Sequence, residues 1–180
     1  NDDYRAQMFR YTNSFKEARF LRAYFYFNLV RAYGDVPYFT EMVTTDQVNS
    51  LTRTPAQEIF NAIIAECDKL STELPADYTK LGLDGIAPAE NGRVTCYAAL
   101  ALKARAALYA ASPLFNPENN KDLWRRAAEA NKEVIETCTA NGFKLSKYSE
   151  LWGPNNWSNN EMIFVRRYNG NISTLEEYNF

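Results

Sequence analysis

The sequence predicts an all-α fold of the helical-repeat type, and three observations lead to this prediction. Apolar residues recur every three or four positions in four separate stretches of the 180-residue chain. Glycine, proline and asparagine cluster between those stretches, where helices end and turns form. The third stretch is rich in alanine, the residue with the highest helix propensity. We therefore expect helices at about 4–33, 54–73, 95–111 and 122–140.

The first predicted helix is long and unusually aromatic. Gly34 suits a left-handed cap at its end, and Pro37 prevents its continuation, which leaves Asp35 a role in the turn. Arginines interrupt the apolar run well short of the length needed to span a bilayer. Apolar residues nearly encircle the segment, so we expect it to be covered on several sides. The aromatic residues expected in this scaffold are Phe20, Tyr24, Phe25 and Phe27.

The next three helices carry recognisable start signals. Thr54 and Gln57 have the spacing of a capping box, with Pro55 at the first helical position. Thr95 and Asp122 are candidate caps for the third and fourth helices. The side chains expected on the buried stripe of the fourth helix are Trp124, Ala127, Ala128, Asn131, Val134, Ile135 and Cys138. The last two helices resemble a tetratricopeptide unit, so the repeat is predicted to be a degenerate one of α-solenoid type.

The chain divides into a helical part and a loop-rich part. We expect a helical scaffold over residues 1–142, with long linkers at 75–94 and 113–121. Residues 143–180 are expected to form loops, with minor short strands, packed on the helices. Because the chain opens inside a helical pattern and ends without a closing element, we expect a piece of a longer protein whose remaining C-terminal part is missing here.

Composition disfavours several classes of function. The chain has no histidine, so it lacks the commonest general base and the commonest metal ligand. Its formal charge is −2, with no block of lysine or arginine that would favour nucleic acid. The three cysteines lie inside helical patterns and are expected to be buried thiols. We therefore expect a binding protein without catalytic residues, metal site or cofactor.

An isolated tryptophan near the end of the chain is the best candidate for a ligand contact. Trp157 lies among asparagines, with no apolar periodicity to bury it. An indole can stack on a sugar ring while amides bind its hydroxyls. A guanidinium at position 166 could bind vicinal hydroxyls or a carboxylate. The predicted ligand-binding residues are Trp157, Asn155, Asn156, Asn159, Arg166 and Tyr168. The alternatives are a tryptophan folded back onto the helices and an arginine paired with Glu161.

Five collinear blocks resemble the SusD/RagB-like family. The first, "EARFLRAYFYFNLVRAYGDVPYFTE", resembles the family's signature helix, and "GRVTCYAALALKARAALYAASPLFN" resembles its alanine-rich landmark. The blocks "WRRAAEANKEVIE", "LSKYSELW" and "NEMIFVRRY" follow in the expected order. The resemblance implies a nutrient-binding lipoprotein on the extracellular face of a Gram-negative outer membrane, held by a lipid anchor outside this chain. It also implies that the protein delivers oligosaccharide or polysaccharide to a SusC-like TonB-dependent transporter.

A second hypothesis comes from the helical pattern alone. Helical repeats commonly dock proteins or peptides, so the chain could be an interaction scaffold, or a peptide binder, with no sugar site. Titration with a panel of oligosaccharides separates the two hypotheses.

Overall fold

The computed structural model describes residues 2–83, 92–151 and 159–165. Four long helices form the body: α1 (Asp2–Tyr33), α3 (Ala56–Glu73), α4 (Cys96–Ala111) and α5 (Lys121–Ala140). Short elements lie between and after them: α2 (Thr45–Val48), a 3₁₀ turn (Tyr78–Lys80) and α6 (Tyr148–Leu151). The long helices lie where the sequence predicts helices, and the all-α helical-repeat fold is confirmed.

The long helices are stacked in chain order. Helix α1 packs on α3, α3 on α4, and α4 on α5, with α1 making a smaller contact to α4. Arg19 near the middle of α1 reaches Glu73 at the end of α3, while Phe27 meets Phe60 near the start of α3. These contacts make α1 and α3 antiparallel. Each inner helix therefore has a neighbour on two sides.

The core of the stack is aromatic where α1, α3 and α4 meet. The rings of Phe27 and Tyr109 lie 5.2 Å apart in an edge-to-face arrangement, and those of Phe60 and Phe115 lie 5.0 Å apart. Phe27 and Phe60 are fully buried. Each such ring stabilises the fold by about 1.5–3 kcal/mol through burial alone. This cluster fixes α1 against the rest of the stack.

The contact between α4 and α5 is built from alanines instead. Ala104, Ala107 and Ala111 of α4 are buried against Ala127 and Ala130 of α5. Small side chains let the two helices approach closely. Two flanking polar contacts complete the interface. Lys103 Nζ lies 2.8 Å from Glu133 Oε2, and the Asn131 amide donates to the Ala104 carbonyl at 3.4 Å.

The turn after α1 also starts α3. Gly34 ends α1 in the left-handed region, with φ 69°, as predicted. Asp35 Oδ1 then accepts a hydrogen bond from the Ala56 N–H, at 2.8 Å, and so caps α3 from outside its own segment. The predicted capping box at Thr54 is wrong, because the Thr54 N–H is bonded to the Val36 carbonyl. Gln57 instead donates to the carbonyls of Ala110 and Phe115.

Of the caps predicted for α4 and α5, one is confirmed and the other is wrong. The Thr95 cap is confirmed, since its side chain accepts from the Ala98 N–H. The Asp122 cap is wrong. Asn120 is the N-cap of α5, and its side chain accepts from the Asp122 N–H at 2.9 Å, while Asp122 lies in the first turn. An amide two residues earlier provides the same acceptor chemistry, so α5 begins at Lys121, one residue before the predicted start.

On the outer faces of α1 and α5, several side chains predicted to be buried are exposed. Phe20 is buried as expected, but Tyr24 is partly exposed and Phe25 is 59% exposed. On α5, Trp124 is partly exposed and Ile135 is 65% exposed. The cause is shared: both helices are packed on one side only within the described residues, so a wide apolar arc exceeds what one neighbour can cover. Ala128, also predicted to be buried, is exposed.

The segment after α5 is irregular within the described residues. Residues 143–147 and 159–165 form no strand, and residues 148–151 form the short helix α6. The predicted short strands are therefore absent from these ranges. A hydrogen bond from Ser146 N to Glu161 Oε2 joins the two ranges instead of strand pairing. The division at residue 142 stays a prediction. No helix of the described ranges has the length and apolar character to span a bilayer.

Candidate functional site

A cleft of about 740 Å³ lies at one end of the helical stack. Its walls come from the loop after α3, the start of α4, the turn that ends α5, and residues 159–165. Such a volume is in the range of clefts that hold small ligands. The start of α4 places Tyr97 in the wall, and Gly142, with φ 88°, turns the chain so that Phe143 faces Tyr97.

One wall of the cleft is aromatic. The rings of Tyr97 and Phe143 lie 4.9 Å apart at an angle of 63°. Phe164 also lines the cleft and packs edge-to-face on Phe20 of the core, at 5.5 Å. Tyr97 is mostly buried, and burial raises the pKa of its hydroxyl. Because Tyr97 lines the cleft, its side chain is a candidate for ligand contact.

Amide side chains contribute polar groups to the same cleft. Asn141, Asn159 and Asn160 all line it. The Asn159 Oδ1 accepts from Ser146 Oγ at 2.7 Å and from the Glu161 N–H at 2.8 Å, so this oxygen holds the loop together. Asn160 is exposed. Its amide can therefore both donate to and accept from a hydroxylated ligand.

A buried polar cluster supports the base of the cleft. Glu17 of α1 receives two hydrogen bonds from the Arg93 guanidinium, at 2.7 and 2.6 Å. The Tyr78 hydroxyl accepts from the Asn13 amide at 2.8 Å and has two acceptors within reach, Glu17 Oε1 and the Val94 carbonyl. Burial raises the pKa of Tyr78. Tyr78 and Arg93 line the cleft, but their polar atoms already bind the scaffold.

Glu17 pairs with an arginine that lies far away along the chain, Arg93, and not with Arg19 of its own helix. Arg19 instead bridges Glu66 and Glu73 of α3, both at 2.6 Å. The hydrogen bond that Arg19 donates to Glu66 is the main cause of the raised pKa of Arg19. The pairing could not be found from sequence, because Glu17 and Arg93 are 76 positions apart.

Two charged groups lie at the edge of the cleft. Asp77 accepts from the hydroxyl and the N–H of Thr79, and the hydroxyl bond is the main cause of its lowered pKa. Lys80 lies 3.3 Å from the Asp77 carboxylate and is highly exposed. A solvated pair of this kind contributes little to stability. The edge of the cleft is therefore polar with balanced charge, which suits a neutral hydroxylated ligand.

The predicted site residues fall largely outside the described ranges. Asn159 lines the cleft, and part of its amide is used to hold the loop. Trp157, Asn155, Asn156, Arg166 and Tyr168 lie outside the described residues, so their roles stay predictions. Sequence reasoning missed Tyr97, Phe143 and Asn141. Tyr97 lies in the alanine-rich helix, where no local pattern distinguishes it, and Asn141 lies at the C-cap of α5.

The three cysteines do not line the cleft, and none of them is an activated nucleophile. Burial raises the pKa of all three thiols, that of Cys67 to about 12, so each stays protonated at neutral pH. Within the described ranges, no group of three or more acidic or cysteine side chains is placed to hold a metal ion. The described lining side chains can stack on a ligand and form hydrogen bonds with it.

The fold and the cleft define a helical-repeat protein with a ligand-sized site at one end. A SusD-like family described as "Starch-binding associating with outer membrane" matches residues 3–108, and the chain belongs to this family. Among curated proteins, SusD-like protein P25 of Formosa agariphila is 25% identical over 149 residues, which are 82% of this chain. SusD-like protein P2 of the same organism is 27% identical over 88% of the chain.

Solved structures agree with this assignment. A SusD-like protein from Bacteroides fragilis superposes with a TM-score of 0.66 and 29% identity over 85% of this chain. A SusD-like carbohydrate-binding protein from the same species superposes with a TM-score of 0.63 and 28% identity over 83%. The chain spans only 24% and 28% of the length of the two curated relatives, and 27% and 26% of the two structures.

Proposed function

We propose that this chain is part of a surface glycan-binding protein that holds oligosaccharide without cleaving it. The observation that carries the proposal is the cleft of aromatic and amide side chains in a member of a family described as starch-binding. Tyr97 and Phe143 offer apolar surface for the C–H faces of sugar rings. The exposed amide of Asn160 can bind the hydroxyls, and so can the Asn141 and Asn159 amide atoms that do not already bond the scaffold.

The cleft suits a neutral glycan better than a charged one. The Arg93 guanidinium is paired with Glu17, and Lys80 is paired with Asp77, so neither charge is uncompensated. A sugar acid would bring a carboxylate to a surface with no free cation among the described lining residues. We therefore place neutral gluco-oligosaccharides first in a binding panel and uronic-acid oligosaccharides last.

Isothermal titration with such a panel tests the proposal. Asn160→Ala should weaken binding of the best ligand by about 0.5–1.5 kcal/mol through the loss of hydrogen bonds. Tyr97→Phe should do the same through the loss of one hydroxyl, while its ring keeps packing on Phe143. Trp157→Ala tests the predicted stacking residue, with an expected loss of about 1–3 kcal/mol.

Trp124→Ala is the matched control, because this partly exposed indole lies on α5 and does not line the cleft. The Trp124→Ala variant should bind the best ligand of the panel with the same affinity as the parent chain. If no member of the panel binds, the glycan proposal fails and the interaction-scaffold hypothesis gains. If a glycan binds and only Trp157→Ala weakens it, the site lies on the predicted tryptophan instead of the described cleft.

We further propose that the bound glycan is delivered to a SusC-like TonB-dependent transporter in the outer membrane. The family's description as associating with the outer membrane supports this step. A lipid anchor outside the 180 residues would hold the protein on the extracellular face. Affinity purification of the tagged protein from detergent-solubilised outer membranes should recover a TonB-dependent transporter. Recovery of none would contradict the delivery step and leave glycan binding untouched.

A further inference from the structure

Helix α1 carries a long apolar stripe that faces solvent. The large side chains that form it are Tyr4, Met8, Tyr11, Phe15, Phe25 and Leu29. Each of them is at least 42% exposed, and Tyr11 and Phe15 exceed that value clearly, at 63% and 60%. Exposed apolar patches of this extent on a protein mark interaction surfaces.

The stripe has the geometry of a helix-packing face. Its members are separated by steps of three or four positions, and Ala18 and Arg22 fill the gap between Phe15 and Phe25 at the same spacing. At 100° per residue these positions fall on one side of α1, away from Phe20 and Phe27, which pack on α3 and α4. The Arg22 guanidinium donates to the Thr40 carbonyl at 2.9 Å. The stripe therefore has two apolar parts, residues 4–15 and residues 25–29, on one side of a helix about 48 Å long.

Helix α1 lies at one end of the stack, so its outer face can be compared with the face expected at the end of a helical array. Stacked helical repeats bury a continuous core, and the outermost repeats of a soluble array carry polar outer faces. The α5 side meets that condition, since Arg125, Glu129, Lys132 and Glu136 form solvated pairs along it. The α1 side does not, because its outer face is aromatic where an array end should be polar.

We propose that the α1 stripe is an internal interface, covered by a further helix of the same polypeptide that precedes Asn1. The stack follows chain order from α1 to α5, so the neighbour on the open side of α1 should come from earlier sequence. The curated relatives that match this chain are more than three times as long, so the whole protein has room for such a helix. The inference rests on the fold and the family, and it is independent of glycan binding.

Thiol labelling of two polypeptides tests the proposal. One is the 180-residue chain, and the other is the longer polypeptide translated from the gene's own start codon. Phe15→Cys places a probe on the stripe, and Ala128→Cys places a matched probe on the exposed face of α5. Maleimide modification is followed by peptide-level mass spectrometry, so the native thiols do not interfere. In the 180-residue chain both probes should react at similar rates. In the longer polypeptide the Phe15→Cys probe should react at least ten times more slowly, with the Ala128→Cys probe unchanged.

Three results would overturn the proposal. Equal rates for the two probes in the longer polypeptide would show that no segment covers the stripe. If the Phe15→Cys probe is already protected from maleimide in the 180-residue chain, and more so at higher protein concentration, a second copy of the chain covers the stripe. A reading frame without helix-forming sequence before Asn1 would leave no occupant.

A second readout needs no substitution. Hydroxyl-radical footprinting compares native Met8 and Tyr11 with Trp124 of α5 as an internal reference. Met8 and Tyr11 should lose at least three-quarters of their oxidation in the longer polypeptide, relative to Trp124. Undiminished oxidation would overturn the proposal even if the cysteine variants failed to fold.

Discussion

The two outer helices of the stack, α1 and α5, differ in the side chains that they bury and in those that they expose. Each packs on the stack with one side and turns the other side outward. Helix α5 buries small residues, Ala127 and Ala130, and exposes mainly charge. Helix α1 buries large rings, Phe20 and Phe27, and also exposes large rings, such as Phe15 and Phe25. The outward face of α5 is suited to water, whereas that of α1 is suited to a further neighbour.

The difference between α1 and α5 shows that the apolar content of a helix does not determine how much of the helix is buried. The aromatic segment of α1 is more apolar than α5, yet half of the rings predicted to be buried there are exposed. A side chain is buried only when another element covers it, and the supply of neighbours is a property of the whole fold. Matched substitutions on the two helices can test this contrast.

The largest effect is expected inside the aromatic core. Phe27→Ala should lower the free energy of unfolding by about 3–5 kcal/mol, because a fully buried ring is lost and leaves a cavity. Phe25→Ala on the outer face of the same helix should lower it by less than about 1 kcal/mol in the 180-residue chain. Urea denaturation followed by circular dichroism measures both. Equal losses would show that the outer face is already covered in this chain.

Substitution in the polar cluster of α1 should lower the free energy of unfolding by nearly as much. Glu17→Ala removes the partner of Arg93 and an acceptor for Asn13 and Tyr78, in a partly buried setting. The free energy of unfolding should fall by about 2–4 kcal/mol. Glu118→Ala, at an exposed site, is the control and should change it by less than about 0.5 kcal/mol. A loss below 1 kcal/mol in Glu17→Ala would mean that the cluster does not hold α1 to the loop below the cleft.

The alanine interface of α5 should resist larger side chains. Ala127→Leu forces a branched side chain into the contact with α4, and the free energy of unfolding should fall by about 1–3 kcal/mol. Ala128→Leu, one position along and exposed, should have almost no effect, since leucine is also a good helix former. Thermal denaturation of both variants provides the comparison. Similar melting temperatures for the two would argue against close packing of α4 on α5.

The smallest effect is expected on the charged face of α5. The Lys132 ammonium lies 3.7 Å from the Glu136 carboxylate, and both side chains are about two-thirds exposed or more. Glu136→Gln should therefore change the free energy of unfolding by no more than about 0.5 kcal/mol, and less at high salt. Chemical denaturation at two ionic strengths measures this. A loss above 1 kcal/mol would indicate that another part of the chain covers this face.

Part of the candidate site could be predicted and part could not. The asparagine-rich loop indicated a polar surface, and Asn159 does line the cleft. Tyr97 and Phe143 could not be foreseen, because they are 46 positions apart and meet only when the end of α5 returns to the start of α4. Long-range contacts of this kind leave no local pattern in the sequence.

The sequence by itself determined the four long helices and two of their boundaries. Periodic apolar residues, the glycine after Tyr33 and the threonine before Cys96 act within one or two turns of the chain, so local rules suffice to find them. Only the tertiary structure decided that Asp35 caps α3, that Glu17 pairs with Arg93, and which rings of α1 are buried. Those outcomes depend on which elements meet in space, since both burial and ion pairing need a partner that lies far away along the chain.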